Sequence, residues 1–156
     1  MNRKELLLSA WDTAYDKEGW YVPLKKVLPR ISFEAAFWKP AQKDMHSVLE
    51  IANHLLFYKE RFLSRLRERP FKLTAGTNDD TFLYNEPTKA MWEVVRSRLD
   101  VVQAEIRQTI EQNEEAYLDQ SKPKEAVVAQ MMDLIMHDAY HTGQIVDLLK
   151  LQGKWE

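Results

Sequence analysis

The chain contains no cysteine. That absence removes disulfides, thiolate metal ligands and a cysteine nucleophile at one stroke, so any transition metal must be held by nitrogen and oxygen. Glycine and proline are scarce, at four and six in 156 residues, and they fall between long stretches rich in Leu, Ala, Glu, Lys, Arg, Gln and Met. Those are good helix formers, and no alternating β-branched run bounded by turn residues competes with them. No apolar stretch reaches the roughly 18 residues that would cross a bilayer. At the N-terminus Leu6-Leu7-Leu8 is soon followed by Asp12, which gives neither a signal-peptide core nor a cleavage pattern, so the expectation is a soluble, cytoplasmic protein with no membrane partner.

Neither sign of charge dominates. With 22 basic against 24 acidic residues and a net charge of -2, the chain lacks the basic excess of a dedicated nucleic-acid binder, and no nucleic-acid partner is expected. One local exception runs from Lys59 to Lys72, where Lys59, Arg61, Arg65, Arg67, Arg69 and Lys72 face only Glu60 and Glu68. Its ordinary reading is a solvated helix face; its sharper one is a phosphate-binding patch.

The length suits one domain, residues 1–156, with no internal repeat. Four main helices are expected. The first starts near Asn2, carries Leu7, Ala10, Trp11 and Ala14 at helical spacing, is disturbed near Gly19 and Pro23, and resumes to about Arg30. Residues 31–44, with Phe33, Phe37, Trp38 and Pro40, read as an irregular crossover with one short helical turn and aromatics packed into the core. The second helix opens at the capping-box pattern Ser47-Val48-Leu49-Glu50 and runs to about Arg69. A polar, irregular loop follows from Pro70 to Glu86, either mobile or a lid. The third helix runs from Pro87 or Thr88 to Gln112 or Asn113 with the stripe Met91, Val94, Val95, Leu99, Val102, Ile106 and Ile110. For the fourth, Ser121 is the predicted N-cap, Pro123 the first-turn residue and Gly153 the terminator. The architecture these elements imply is an all-α four-helix bundle.

Chemistry concentrates in the last helix, at His137-Asp138-Ala139-Tyr140-His141. A spacing of four puts both imidazoles on one helix face with Cβ atoms about 5 to 6 Å apart, which suits two nitrogens converging on one metal at about 2.0 to 2.1 Å. The same face continues through Gln130, Leu134, Ile145 and Leu148, so the pair looks inward, and inward imidazoles need partners. On the second helix His54 sits among Ile51, Leu55, Phe57, Tyr58 and Phe62. Three of four histidines thus occupy apolar faces of two helices, and a shared divalent metal is one explanation. Hydrogen bonding within the core is the plainer alternative for any single one. His46, just before the cap, reads as a surface or capping residue.

Two rival motifs fit less well. The metalloprotease signature His-Glu-x-x-His would need Glu at Asp138, and its extended form is not met by Gly143-Gln144. The di-iron carboxylate bundles use Glu-x-x-His pairs, of which the chain has none.

Ile51-Ala52-Asn53-His54-Leu55-Leu56 and, far downstream, His137-Asp138-Ala139-Tyr140-His141-Thr142-Gly143-Gln144-Ile145 together resemble the DinB/YfiT-like superfamily, a likeness that includes Trp38-Lys39-Pro40 and covers nearly the whole chain. The resemblance implies a four-helix bundle with a long crossover, a homodimer, and one divalent metal ion, zinc or nickel, held by the residues matching His54, His137 and His141. Among activities it implies thiol S-transferases acting with low-molecular-weight thiols on a small-molecule substrate. Gly143 would give close helix contact and Gln144 a polar group near the site.

Three neutral imidazoles leave a divalent ion with at least one open position, as catalytic zinc sites do and closed structural sites do not. The expected function is a metalloenzyme that activates an added thiol or water, S-transferase-like or hydrolase-like; the alternative is a non-catalytic metal-stabilised bundle or sensor. Candidate auxiliary groups are Glu50 as base or outer partner, Arg61 as an anion clamp, and Tyr58 and Gln144 as orienting hydrogen-bonders. The loop from Thr74 to Asp80 is a candidate cover for the cavity.

Overall fold

A computed structural model describes residues 1–41, 44–84 and 86–155. Among them the regular structure is entirely helical. Six α-helices follow in order: α1 at Arg3–Tyr15, α2 at Leu24–Val27, α3 at Phe33–Phe37, α4 at Val48–Leu66, α5 at Lys89–Gln112 and α6 at Val127–Leu151. The four long ones, α1, α4, α5 and α6, form the bundle. α4 packs on α5 and α6, and α1 packs on the same two, so α1 and α4 occupy opposite corners. The connection from α1 to α4, carrying α2 and α3, is the long crossover, and a single hydrophobic core draws on every one of the six helices.

Helix starts follow local chemistry. Asn2 and Glu5 make a reciprocal capping box at α1, and Ser47 and Glu50 make the expected one at α4. Thr88 caps α5 by accepting from the Met91 N–H. Gly153 ends α6 at φ 64°, the left-handed conformation that glycine adopts without a Cβ penalty.

α6 departs from expectation at its start. The helix begins at Val127, six residues after Ser121, and Ser121 is not its N-cap. Residues 121–126 close a tight loop instead: Ser121 bridges to Ala126, the Lys122 N–H reaches the Glu125 carbonyl at 2.9 Å, and the Val127 N–H reaches the Gln120 carbonyl at 3.0 Å. Inside the first turn of α6 the Gln130 amide donates to the Lys122 and Glu125 carbonyls at 2.7 and 2.8 Å. With those backbone groups satisfied by the loop, the helix has no reason to start earlier.

The crossover aromatics divide. α3 is only five residues long and turns Ala35 and Ala36 inward; Phe33 packs partly buried against the core as expected, and Phe37, four residues on, stacks on it but is exposed, as is Trp38. Residues 42 and 43 of the crossover lie outside the described residues. The crossover is anchored by Trp92 of α5, whose buried indole donates to the Ile31 carbonyl at 3.0 Å. α4 also ends earlier than Arg69, at Leu66, with Glu68 in the left-handed region at φ 51°.

The largest departure concerns Lys59, which belongs to the run read as a solvated face. Its side chain is fully buried at the bundle centre. Nζ lies 2.5 Å from Asp138 Oδ2 of α6 and 2.5 Å from Gln103 Oε1 of α5, and 4.7 and 4.8 Å from the ring centres of Trp11 and Tyr15 of α1. One polar knot therefore takes a residue from each bundle helix. Lys59 lies on the same side of α4 as Leu55, Phe62, Leu63 and Leu66, so the stripe that buries α4 carries a cation through it. Charge alone could not reveal that, because a lysine reads as exposed unless its counterion is known.

Candidate metal centre

His54 of α4 and His137 and His141 of α6 come together. His54 Nε2 stands 2.8 Å from His137 Nε2, which stands 3.1 Å from His141 Nε2. His54 and His141 are buried, and His137 is half-buried, the most open of the three. No further histidine or carboxylate joins this group among the described residues.

Neighbours fix which nitrogen of each ring is free. The Thr81 hydroxyl donates to the Asn78 carbonyl and lies 2.5 Å from His54 Nδ1, so it accepts the Nδ1 hydrogen. The Gln144 amide donates to the Tyr140 hydroxyl and turns Oε1 to His141 Nδ1 at 2.6 Å, accepting there. Both histidines therefore present bare Nε2 lone pairs toward His137 Nε2, and one hydrogen on His137 could satisfy only one of them. A cation among the three nitrogens removes that conflict, and the two hydrogen bonds are the outer partners that orient metal-binding imidazoles. The residues present fit a divalent metal.

Electrostatics agree. Burial, reinforced by the neighbouring imidazoles, lowers His54 from 6.5 to about 3. Burial, with His141 and Lys59 nearby, lowers His137 to about 4, and burial pushes His141 down as well. All three rings stay neutral and able to donate a lone pair at ordinary pH.

The segment that carries Thr81 is part of the expected loop. A 3-10 turn at Asp79–Phe82 is tied to α4 by Asn53, whose amide donates to the Thr81 and Leu83 carbonyls at 3.0 Å each. Phe82 is stacked between two imidazoles, 3.9 Å from His54 on one face and 3.9 Å from His46 on the other. His46 thus stays partly exposed beside the capping-box residue Glu50, as expected, and in addition stacks on Phe82. Thr81 and Phe82 carried no spacing signal in the sequence. Only the fold of the loop over α4 brings them in.

The auxiliary candidates separate. Gln144 touches His141 directly. Tyr58 sits roughly perpendicular to His54 and His137, with ring centres 5.0 and 5.4 Å away, and donates its hydroxyl to Asn78 at 2.9 Å. Arg61 lines a cavity of about 360 Å³ between α4 and α6, together with Tyr58, Arg65 and His137. Glu50 is not drawn into the histidine group: its carboxylate accepts from the Ser47 N–H at 2.7 Å and from Lys39 Nζ at 2.8 Å. Gly143 is exposed, and a Cβ there would meet nothing within 4 Å, so it makes no close helix contact. Within the run from Lys59 to Lys72, Lys59 is the one turned wholly into the core.

The class these features define is an all-helical bundle with a buried three-histidine group suited to a metal ion. The DinB family model matches residues 22–156, and the chain belongs to that family. No curated protein and no solved structure matches it. No helix among the described residues is long and apolar enough to cross a membrane.

Proposed function

We propose that the protein is a metalloenzyme that activates a low-molecular-weight thiol or a water molecule at a divalent ion held by His54, His137 and His141, in S-transferase-like or hydrolase-like chemistry. The observation that carries the reading is the one-sided openness of the site: three convergent nitrogens, two of them buried, with the third, His137, forming part of the wall of a solvent-connected cavity. When bound, a divalent ion of this donor set, zinc or nickel, supplies Lewis acidity that lowers the pKa of a thiol or water.

The protein's own residues supply the rest. Thr81 and Gln144 hold the two buried imidazoles in the tautomer that leaves Nε2 free. Phe82 covers one face of His54, and Tyr58 packs on it roughly at right angles, which shields the imidazole from water. Arg61 offers a cation at the cavity wall for an anionic group of a substrate. Glu50, held by Lys39 and the Ser47 N–H, fixes the first turn of α4, one turn before His54. Because the chain has no cysteine, a thiol must arrive as a cosubstrate. Cytoplasmic residence and a homodimer complete the proposal.

Cobalt substitution tests it. An open site exchanges its solvent-side ligand for added thiol, shifting the visible absorption of the cobalt protein. An unchanged spectrum with every small thiol or anion tried overturns the reading and favours the closed, non-catalytic metal-stabilised bundle or sensor.

A further inference from the structure

The cavity beside His137 holds four charged side chains. Arg61 and Arg65 come from α4, one turn apart; Asp133 comes from α6 and Glu125 from the loop before it. No ion pair within 4 Å joins any of these four to an opposite charge among the described residues. Elsewhere the surface shows many such pairs, as between Arg98 and Glu60 or Arg67 and Glu105. The two arginines are like charges on neighbouring turns, which stand better together with an anion between them than alone. Arg65 is also aimed: its Nη1 donates to Gln130 Oε1 at 2.8 Å, and Gln130, a buried amide, is itself held by the Lys122 and Glu125 carbonyls. Burial and, after it, Arg61 lower the Arg65 pKa, while Glu125 pulls it the other way, so Arg65 feels the nearby acid without forming an ion pair with it.

Cations from one helix, with acids from the facing helix and the loop before it lining the same cavity, suit a ligand that bears both signs. We infer that this cavity recognises a small zwitterion of the amino-carboxylate kind, its carboxylate bound by Arg61 and Arg65 and its ammonium by Asp133 and Glu125, with a donor atom turned toward His137. The inference rests on the proposed function only for that last element. The cavity, at about 360 Å³, holds roughly a dozen waters' worth of space and so admits an amino acid or a somewhat larger amino-acid conjugate. Phe62 and Leu134 give it an apolar floor for the carbon skeleton. The two acids disfavour a polyanion such as a phosphate ester.

The experiment compares three thiols on the cobalt protein by absorption titration: L-cysteine, 3-mercaptopropionate, which lacks the ammonium, and cysteamine, which lacks the carboxylate. L-cysteine is expected to bind about tenfold tighter than either truncated thiol, the scale of one charge-assisted hydrogen bond. Arg61→Gln should erase its advantage over cysteamine, and Asp133→Asn its advantage over 3-mercaptopropionate. Equal binding of all three thiols, or preferences untouched by the two substitutions, overturns the inference and leaves the metal reading standing. A parallel NMR titration of metal-free protein with L-serine, propionate and ethylamine reads the cavity without the ion. Preferential shifts for L-serine there support the inference even if no thiol alters the cobalt spectrum, a result that sinks the open-site enzyme reading instead. Failure of both titrations overturns both.

Discussion

Lys59 of α4 and Asp138 of α6 meet at 2.5 Å with neither side chain exposed to water. They join the same two helices that supply His54 and His137, and Asp138 is the residue next to His137 in the chain. The ion pair thus sets the rotation of α6 against α4, on which the meeting of the imidazoles depends. Such a pair is costly to desolvate, and Asp138 shows it: burial raises its pKa, opposed by Lys59, while Oδ1 has no hydrogen-bond partner among the described residues.

Breaking the pair from one side should therefore hurt more than removing it whole. Asp138→Ala leaves the Lys59 ammonium buried with only Gln103 as a hydrogen-bond partner and is expected to cost about 3 to 5 kcal/mol of stability in urea unfolding. Adding Lys59→Met to that variant should restore much of the loss. Simple addition of the two single effects would show that the residues do not act as a pair.

The ligand assignment makes a direct prediction. Wild-type protein should carry stoichiometric metal by elemental analysis, and His54→Ala, His137→Ala and His141→Ala should each lose most of it while remaining helical by circular dichroism. Full metal content in any of the three removes that histidine from the ligand set.

Thr81 and Gln144 should matter without touching the metal. Thr81→Val and Gln144→Leu delete the acceptors that hold hydrogens on Nδ1 and are expected to weaken metal binding about 10- to 100-fold, measured by competition with a chromophoric chelator. Thr81→Ser, which keeps the hydroxyl, should bind nearly as wild type. Equal weakening by Thr81→Val and Thr81→Ser would point to packing rather than to the hydrogen bond.

The buried histidines also set a pH dependence of the metal-free protein. In the unfolded chain they take up protons near 6.5, whereas in the folded chain His54 and His137 resist until about 3 and about 4. The unfolded state therefore binds more protons below 6.5, so stability is complete above that value and falls as pH drops toward the folded values. Urea midpoints of the metal-free protein should decline from pH 7 to pH 5. His54→Asn should flatten that slope, and an unaltered slope in this variant would remove His54 as a source of the effect.

Much of the site was legible from spacing. His137 and His141 had to share a helix face, and the capping box at Ser47 fixed where α4 begins and so which face carries His54. The rest depended on groups far apart in sequence. Thr81 and Phe82 lie in a loop without periodicity, and they reach His54 only because Asn53 binds the backbone of that loop. Ser121 misled because a good N-cap residue is also a good turn residue, and the Gln130 side chain decides between the two by satisfying the carbonyls of the loop.

By itself, the sequence determined that the chain is helical, where most helices start and stop, and which imidazoles face inward, because these follow from local periodicity and from hydrogen-bonding groups a few residues apart. Tertiary structure alone decided that a lysine fills the centre of the bundle, which nitrogen of each buried ring is bare, and which charges face one another across the cavity. Those outcomes turn on contacts between helices, where a buried charge or lone pair is stable only if another part of the chain arrives to meet it.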